Sequence, residues 1–312
     1  MTDEPRRSKE HEPTIIDVDL SDDAAPPQAA TPIDVEVDVA GEETPARSVP
    51  DSVLGARTFQ GAPGDYDRHE GRTSRRLAQL FQRGIGVYPG QTGLDVGCGT
   101  GGLTYEMAAL LGPDKVRAID PSAPYVEACR EKVWGVEVTE GRAEELPYAD
   151  GQFDIVLAQL VLSYLEDPLA GVTEMRRVLH PGGTVAACVW DVAGEMHLLR
   201  SFWEAASAVD PEGAEPYDER NHPLRAQHEL GQLWKSCGFG AVSLGQLEVT
   251  GFYRDFDDLW APFPTGVGIS GAYTASLDEE HQQELRGELF KRLGSPEGFF
   301  ELTALALYVA GS

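Results

Sequence analysis

The run LDVGCGTGGLT, residues 94–104, is where this sequence concentrates residue types that do chemistry. An apolar strand ends at Asp95–Val96 and gives way to Gly97, Gly99, Gly101 and Gly102 before a helix begins. Glycines at such a turn permit positive φ and let a ligand approach the backbone. In open parallel sheets the ligand lies over the carboxyl ends of the strands. A second carboxylate, Asp120, closes the next strand, KVRAID, where a ribose hydroxyl is bound in nucleoside sites. The turn therefore suits a nucleoside cofactor. Two chemistries fit it, because Gly97, Gly99 and Gly102 also satisfy G-x-G-x-x-G, the dinucleotide signature of an NAD(P)-dependent oxidoreductase.

Three features favour a sulfonium nucleoside over a dinucleotide. Asp95 lies beside the turn, where a carboxylate orients an ammonium but repels pyrophosphate. An acidic residue recurs after the third strand, in GRAEELPYADGQFD. The chain also ends in two further strands instead of a second nucleotide-binding half.

The elements that must position these residues are legible as alternating strands and helices. A leading helix spans 65–85, with Leu77, Leu80, Phe81 and Ile85 on one face. TGLDVGC, KVRAID, VEVTEG, FDIVLAQL and TVAACVW read as strands. GGLTYEMAALLG, SAPYVEACREKV (with Ser122 as N-cap) and PLAGVTEMRRVL read as helices, and HPGG as a turn. This alternation predicts an α/β fold with a mostly parallel sheet and right-handed crossovers. Past residue 190 come helices at 195–209, 228–237 and 278–293, a short aromatic helix or loop at DFDDLWAPF, and two strands, AVSLGQLEVTGFY and FELTALALYVAG, expected as an antiparallel hairpin on the sheet edge.

Bulk composition narrows the partners. The 312 residues include 52 acidic and 25 basic ones, a formal charge of −27. Such a chain repels phosphate backbones and anionic membranes, so neither nucleic acid binding nor membrane insertion is expected. Residues 1–51 hold 14 acidic and 4 basic side chains and no aromatic ring. They are expected to be a disordered acidic tail, whose alternating pieces TIIDVDL and IDVEVDV read first as a solvated tail with accidental alternation and second as a strand offered to an unknown partner. Residues 52–312 are expected to form one domain, with additions and closing strands at 191–312. Cys98, Cys129, Cys188 and Cys237 form no C-x-x-C pair, so no metal is expected, and reduced thiols point to the cytoplasm. Neither a signal peptide nor a transmembrane stretch is visible.

The motifs LDVGCGTG, AIDPS, GRAEELPYADGQFDIVLAQLVLSYLEDP and EMRRVLHPGG together resemble the core of class I S-adenosylmethionine-dependent methyltransferases, in the branch of ubiquinone and menaquinone biosynthesis methyltransferases. The resemblance covers roughly 65–190. It implies a Rossmann-like fold with a seven-stranded sheet and helices on both faces, S-adenosyl-L-methionine as cofactor, and methyl transfer to an O, C or N atom of a small metabolite. It also implies the site. Gly97, Cys98 and Gly99 run along the cofactor, with Asp95 near its amino-acid end and Asp120 on the ribose. Pro121 or Ser122, Ala143 and Glu144 meet the adenine. Gln159 and Leu160 flank the methionine end, and Tyr66 and Arg75 close over it. The sequence departs from the family at Gly141–Arg142–Ala143, where Asp usually stands in place of Arg142. A non-catalytic binding module of the same fold is the remaining alternative. For a proton-handling residue the candidates are His197, after the fifth strand, and Tyr164. Trp190, Phe202, Trp203, Phe252, Tyr253, Phe256, Trp260 and Phe263 are candidates to line an acceptor pocket, or else to be plain core.

Overall fold

A computed structural model describes residues 58, 59, 62–69 and 71–312. The acidic tail expected at 1–51 lies outside them. In chain order the elements are α1 (Pro63–His69), α2 (Gly71–Ile85), β1 (Gly93–Val96), α3 (Gly102–Leu111), β2 (Val116–Asp120), α4 (Ala123–Lys132), β3 (Glu137–Glu140), β4 (Phe153–Gln159), α5 (Pro168–Arg177), β5 (Leu179–Trp190), α6 (His197–Val209), α7 (Pro211–Ala214), α8 (Gln227–Ser236), β6 (Val242–Tyr253), α9 (Phe256–Trp260), α10 (Gly268–Ser276), α11 (Glu279–Arg292) and β7 (Phe300–Gly311). Helices α1 and α2 stand where one leading helix is expected.

The strands form one seven-stranded sheet in the order β3-β2-β1-β4-β5-β7-β6. Strands β1 to β5 pair in parallel, whereas β7 runs antiparallel to both β5 and β6. The fold is the Rossmann-like arrangement with helices on both faces. Alternate residues feed two core layers. Ile155, Leu157, Ala186 and Cys188 face the layer built with α2, α3, α4 and α6. Val156, Ala158, Val185 and Ala187 face the layer built with α5 and α8. Burial on both faces is why β4 reads as a nearly unbroken apolar run.

Local signals fix the helix ends. Asp167 caps α5 by accepting from the Ala170 N–H, with Pro168 at its first position. Asp278 does the same for α11 toward His281. Ser122 sits at the N-cap of α4, yet its hydroxyl donates to the Phe59 carbonyl (2.9 Å) and caps nothing. HPGG is not a free turn: it bulges within β5, so that Phe153 pairs with Leu179 but Ile155 with Thr184. The late strands do pair, but β7 inserts between β5 and β6 after the excursion 254–299, so they are no tight hairpin. No helix among the described residues is long and apolar enough to cross a membrane.

Candidate functional site

The turn after β1 is held by the end of β2. The Gly97 and Cys98 N–H groups donate to the Ile119 carbonyl at 2.8 and 3.0 Å. Gly97 has φ 73°, and a Cβ there would lie 2.4 Å from Val161. Gly101 has φ 92°, and a Cβ there would lie 2.8 Å from the Cys129 sulfur. Both positions require glycine, for conformation and for space. Asp120, next to Ile119, accepts from Gly99 N–H at 2.8 Å with one oxygen and from Ser122 N–H at 2.9 Å with the other. A carboxylate has about four acceptor sites, so lone pairs remain on a side chain that also lines a cavity. Burial raises its pKa, and the two backbone donors oppose the rise.

Asp95 is 1% exposed and accepts from the Thr104 hydroxyl at 2.6 Å. Burial pushes its carboxyl up to about 7, against the Thr104 hydrogen bond, which favours the charged form. A carboxyl so placed becomes a firm anion when a cation binds beside it.

Two adjoining cavities open over the carboxyl ends of β1, β2 and β4, and Tyr66, Gly97 and Gln159 line both. The first, open to solvent, spans about 740 Å³, with Gly99, Asp120, Pro121, Ala143, Glu144, Leu160 and Tyr164 on its walls. The second, also open, spans about 1160 Å³, with Arg75, Asp95 and Cys98 on its walls. The structure thus brings the expected cofactor-side residues onto two continuous walls. Between them, the Gln159 amide donates to the Ser74 carbonyl at 2.8 Å, while its buried Oε1 has no hydrogen-bond partner among the described residues. Leu160 follows with φ 61°, a left-handed conformation that costs a branched side chain about 1–3 kcal/mol and is typical of functional sites.

Glu144 is partly engaged. It accepts from the Glu166 and Asp167 N–H groups at 3.1 and 3.4 Å and pairs with Arg142 at 3.5 Å. Arg142 reaches Glu166 at 2.9 Å. The Arg that replaces the usual Asp therefore ties the loop after β3 to the loop after β4.

Of the proton-handling candidates, Tyr164 stands on the first cavity's wall, edge-on to Phe59 (4.9 Å), with its hydroxyl 3.5 Å from Glu219. His197 is on neither wall. It pairs with Glu195 at 2.9 Å, at the solvent-facing start of α6. The aromatic residues suggested for an acceptor pocket line neither cavity. Phe202, Trp203 and Phe263 are fully buried, with Phe202 stacked on Phe263 at 4.8 Å. They are core because the amphipathic face of α6 is covered by α10 and α11. The rings that do line the first cavity are Phe59, Tyr66, Tyr125 and Tyr164. Sequence reasoning missed Phe59 and Tyr125, and it missed Asp67, Thr100 and Lys132 in the second cavity. Only Thr100 carried a signal, its place inside the glycine turn.

Comparison with known proteins agrees with this geometry. Residues 94–187 match the family described as "Methyltransferase domain". Over 137 residues the chain is 36% identical to a demethylmenaquinone methyltransferase of Staphylococcus aureus, which covers 41% of this chain and 57% of the relative. The chain thus spans little more than half the length of the curated relatives it matches. Among solved structures, a methyltransferase of Thermotoga maritima is 19% identical and covers 82% of this chain and 99% of its own, with a TM-score of 0.49. The Haemonchus contortus phosphoethanolamine N-methyltransferase 2, solved with S-adenosylhomocysteine, is 18% identical and covers 76% of this chain and 52% of its own, with a TM-score of 0.48. Residues 94–187 thus match a methyltransferase-domain family within a sheet of Rossmann-like strand order.

Proposed function

We propose that this chain transfers a methyl group from S-adenosylmethionine to an O, C or N atom of a small organic acceptor. The observation that carries the reading is the pair of buried carboxylates on either side of the glycine turn, Asp95 in one cavity and Asp120 in the other. The spacing of the two cavities suits a ligand with an ammonium at one end and a ribose and base at the other. The residues fit that group: Gly97 lines both cavities, Asp120 keeps lone pairs for hydroxyls, and the orphaned Gln159 oxygen waits for a donor. Pyrophosphate would have to sit against buried Asp95, which disfavours a dinucleotide.

When bound, S-adenosylmethionine supplies an electrophilic methyl group, so the protein's share of the reaction is alignment, which is worth up to about 7–11 kcal/mol in favourable cases. In this reading Asp95 orients the ammonium, Asp120 holds the ribose, and Pro121, Ala143 and Glu144 flank the base. Leu160, Val161 and the Phe59, Tyr66 and Tyr164 rings exclude water around the reacting atoms. The Staphylococcus aureus relative is named for demethylmenaquinone, and aromatic walls suit a ring-bearing acceptor of that kind. In this reading Tyr164, on the first cavity's wall, is the candidate to hold a proton at such an acceptor. We place the reaction in the cytoplasm, where the four unpaired thiols stay reduced. Isothermal titration calorimetry tests the reading: S-adenosylhomocysteine is expected to bind in the micromolar range, about −8 kcal/mol, and NAD and NADP are not. Binding of a dinucleotide in its place would reverse the assignment.

A further inference from the structure

Resting on the methyl-donor reading above, the geometry points to a role for Asp67: its carboxylate occupies the seat that Thr100, Lys132 and the start of α3 offer to the cofactor's α-carboxylate. Asp67 belongs to α1, outside the sheet. It accepts from the Thr100 hydroxyl at 2.6 Å and pairs with the Lys132 ammonium. Thr100 lies in the glycine turn and Lys132 at the end of α4, so one side chain from α1 bridges two elements of the cofactor site. All three residues line the second cavity, together with Gly101 and Gly102.

That corner is built for an oxyanion. Helix α3 opens at Gly101, which has no side chain to cap it, and Asp95 takes the Thr104 N–H of its first turn. Its first N–H groups and its dipole favour negative charge, and a hydroxyl and an ammonium add to them. The oxyanion that fills it among the described residues is Asp67. The cavity's buried carboxylate, Asp95, already takes the Thr104 hydroxyl. An amino-acid end brings one ammonium and one carboxylate. Asp95 suits the first, and the Thr100–Lys132 corner suits the second. Two carboxylates cannot share that corner without repulsion, so the ligand displaces Asp67. Displacement removes one tie between α1 and the cofactor site, while Tyr66, beside Asp67 on α1, keeps its ring contacts with Phe59 and Tyr125. Asp67 is thus a positioning residue that presets Thr100 and Lys132 and then competes with the ligand for them.

Calorimetry on the full chain with two probes tests this: S-adenosylhomocysteine, and 5′-methylthioadenosine, which lacks the amino-acid end. Asp67→Asn is expected to bind S-adenosylhomocysteine at least about threefold tighter than the parent, and Lys132→Gln about tenfold weaker, with methylthioadenosine unmoved in both. Equal or weaker S-adenosylhomocysteine binding by Asp67→Asn, or parallel shifts of both probes, overturns the inference and leaves the methyl-donor reading intact. Failure of the parent chain to bind either nucleoside overturns both.

Discussion

Two groups of aromatic rings sit close to the parallel sheet and differ in what surrounds them. Phe59, Tyr66, Tyr125 and Tyr164 stand on a cavity wall, while Phe202, Trp203, Phe263 and Tyr273 pack against one another at ring-centroid distances of 4.8–6.4 Å. The difference lies in the backbone around them. In the first region the glycine turn and a left-handed Leu160 bend the chain at the strand ends, and a cavity lies over them. In the second, α6, α10 and α11 close on each other with complementary faces. Aromatic content alone therefore says nothing about where a ligand sits; the backbone beside the rings decides.

The sharpest way to break this contrast is Trp203→Ala. Removing a fully buried indole is expected to cost about 3–5 kcal/mol in urea denaturation. It also strips a donor from Glu219, which accepts from the Trp203 N–H at 3.2 Å. Affinity for S-adenosylhomocysteine, measured while the variant is folded, is expected to stay within about twofold. A parallel loss of affinity would show that the two regions are one functional unit.

Asp95 sharpens the contrast from the cavity side. Its carboxyl, pushed up to about 7 by burial, ionises well above the unfolded-chain value of 3.8. Between those values the folded protein holds a proton that the unfolded chain has lost. Stability from this group is therefore greatest below about pH 4 and is lost as pH rises to 7, by roughly 4 kcal/mol at most. Ligand binding runs the other way, because an ammonium needs the carboxylate. S-Adenosylhomocysteine affinity is expected to fall about tenfold per pH unit below 7 and to level off above it. Asp95→Asn at pH 8 is expected to melt higher than the parent without ligand, yet to bind weakly and with no slope between pH 6 and 8. A parent chain whose affinity is flat across that range would remove Asp95 from the ammonium's neighbourhood.

Asp120 has a smaller structural share. Asp120→Ala orphans two buried N–H groups, those of Gly99 and Ser122, at an expected cost of about 1.5–3 kcal/mol. Affinity for S-adenosylhomocysteine is expected to drop at least about tenfold. Asp120→Asn, which keeps an acceptor, should recover part of the stability but less of the binding. Equal recovery of both would make Asp120 a brace for the turn and nothing more.

What the sequence makes legible follows from range. The glycine turn and Asp95 are local: a strand, a tight turn and a helix in eleven residues leave little freedom, and Asp120 ends the next apolar strand. The apolar runs of β4 and β5 are likewise set by burial on both faces. The insertion of β7 between β5 and β6 is not local, since it depends on pairing Val185 with Gly311 and Val242 with Gly311 across the chain. Helix α10 escaped notice because its buried face includes Gly268, Ser270, Gly271 and Thr274, which carry no apolar period. Asp67 was illegible for a different reason. Next to Arg68 and Asp65 it reads as one surface charge among many, and only the fold brings Thr100 and Lys132 to it.

Arg142 is the mildest test and the most particular to this chain. It stands where relatives carry an acid, so a role in gripping the base would make its loss costly. Its side chain is nearly half exposed, and so is that of its nearer partner Glu166. Pairs in water contribute about 0–1 kcal/mol. Glu144 meanwhile keeps its two backbone donors whether or not Arg142 is present. Arg142→Ala is therefore expected to shift the melting temperature only slightly and S-adenosylhomocysteine affinity by less than about threefold. Raising salt is expected to erase even that difference, because an exposed pair is screened within about 10 Å at 0.1 M. A larger, salt-resistant loss would mean that the guanidinium contacts the base directly.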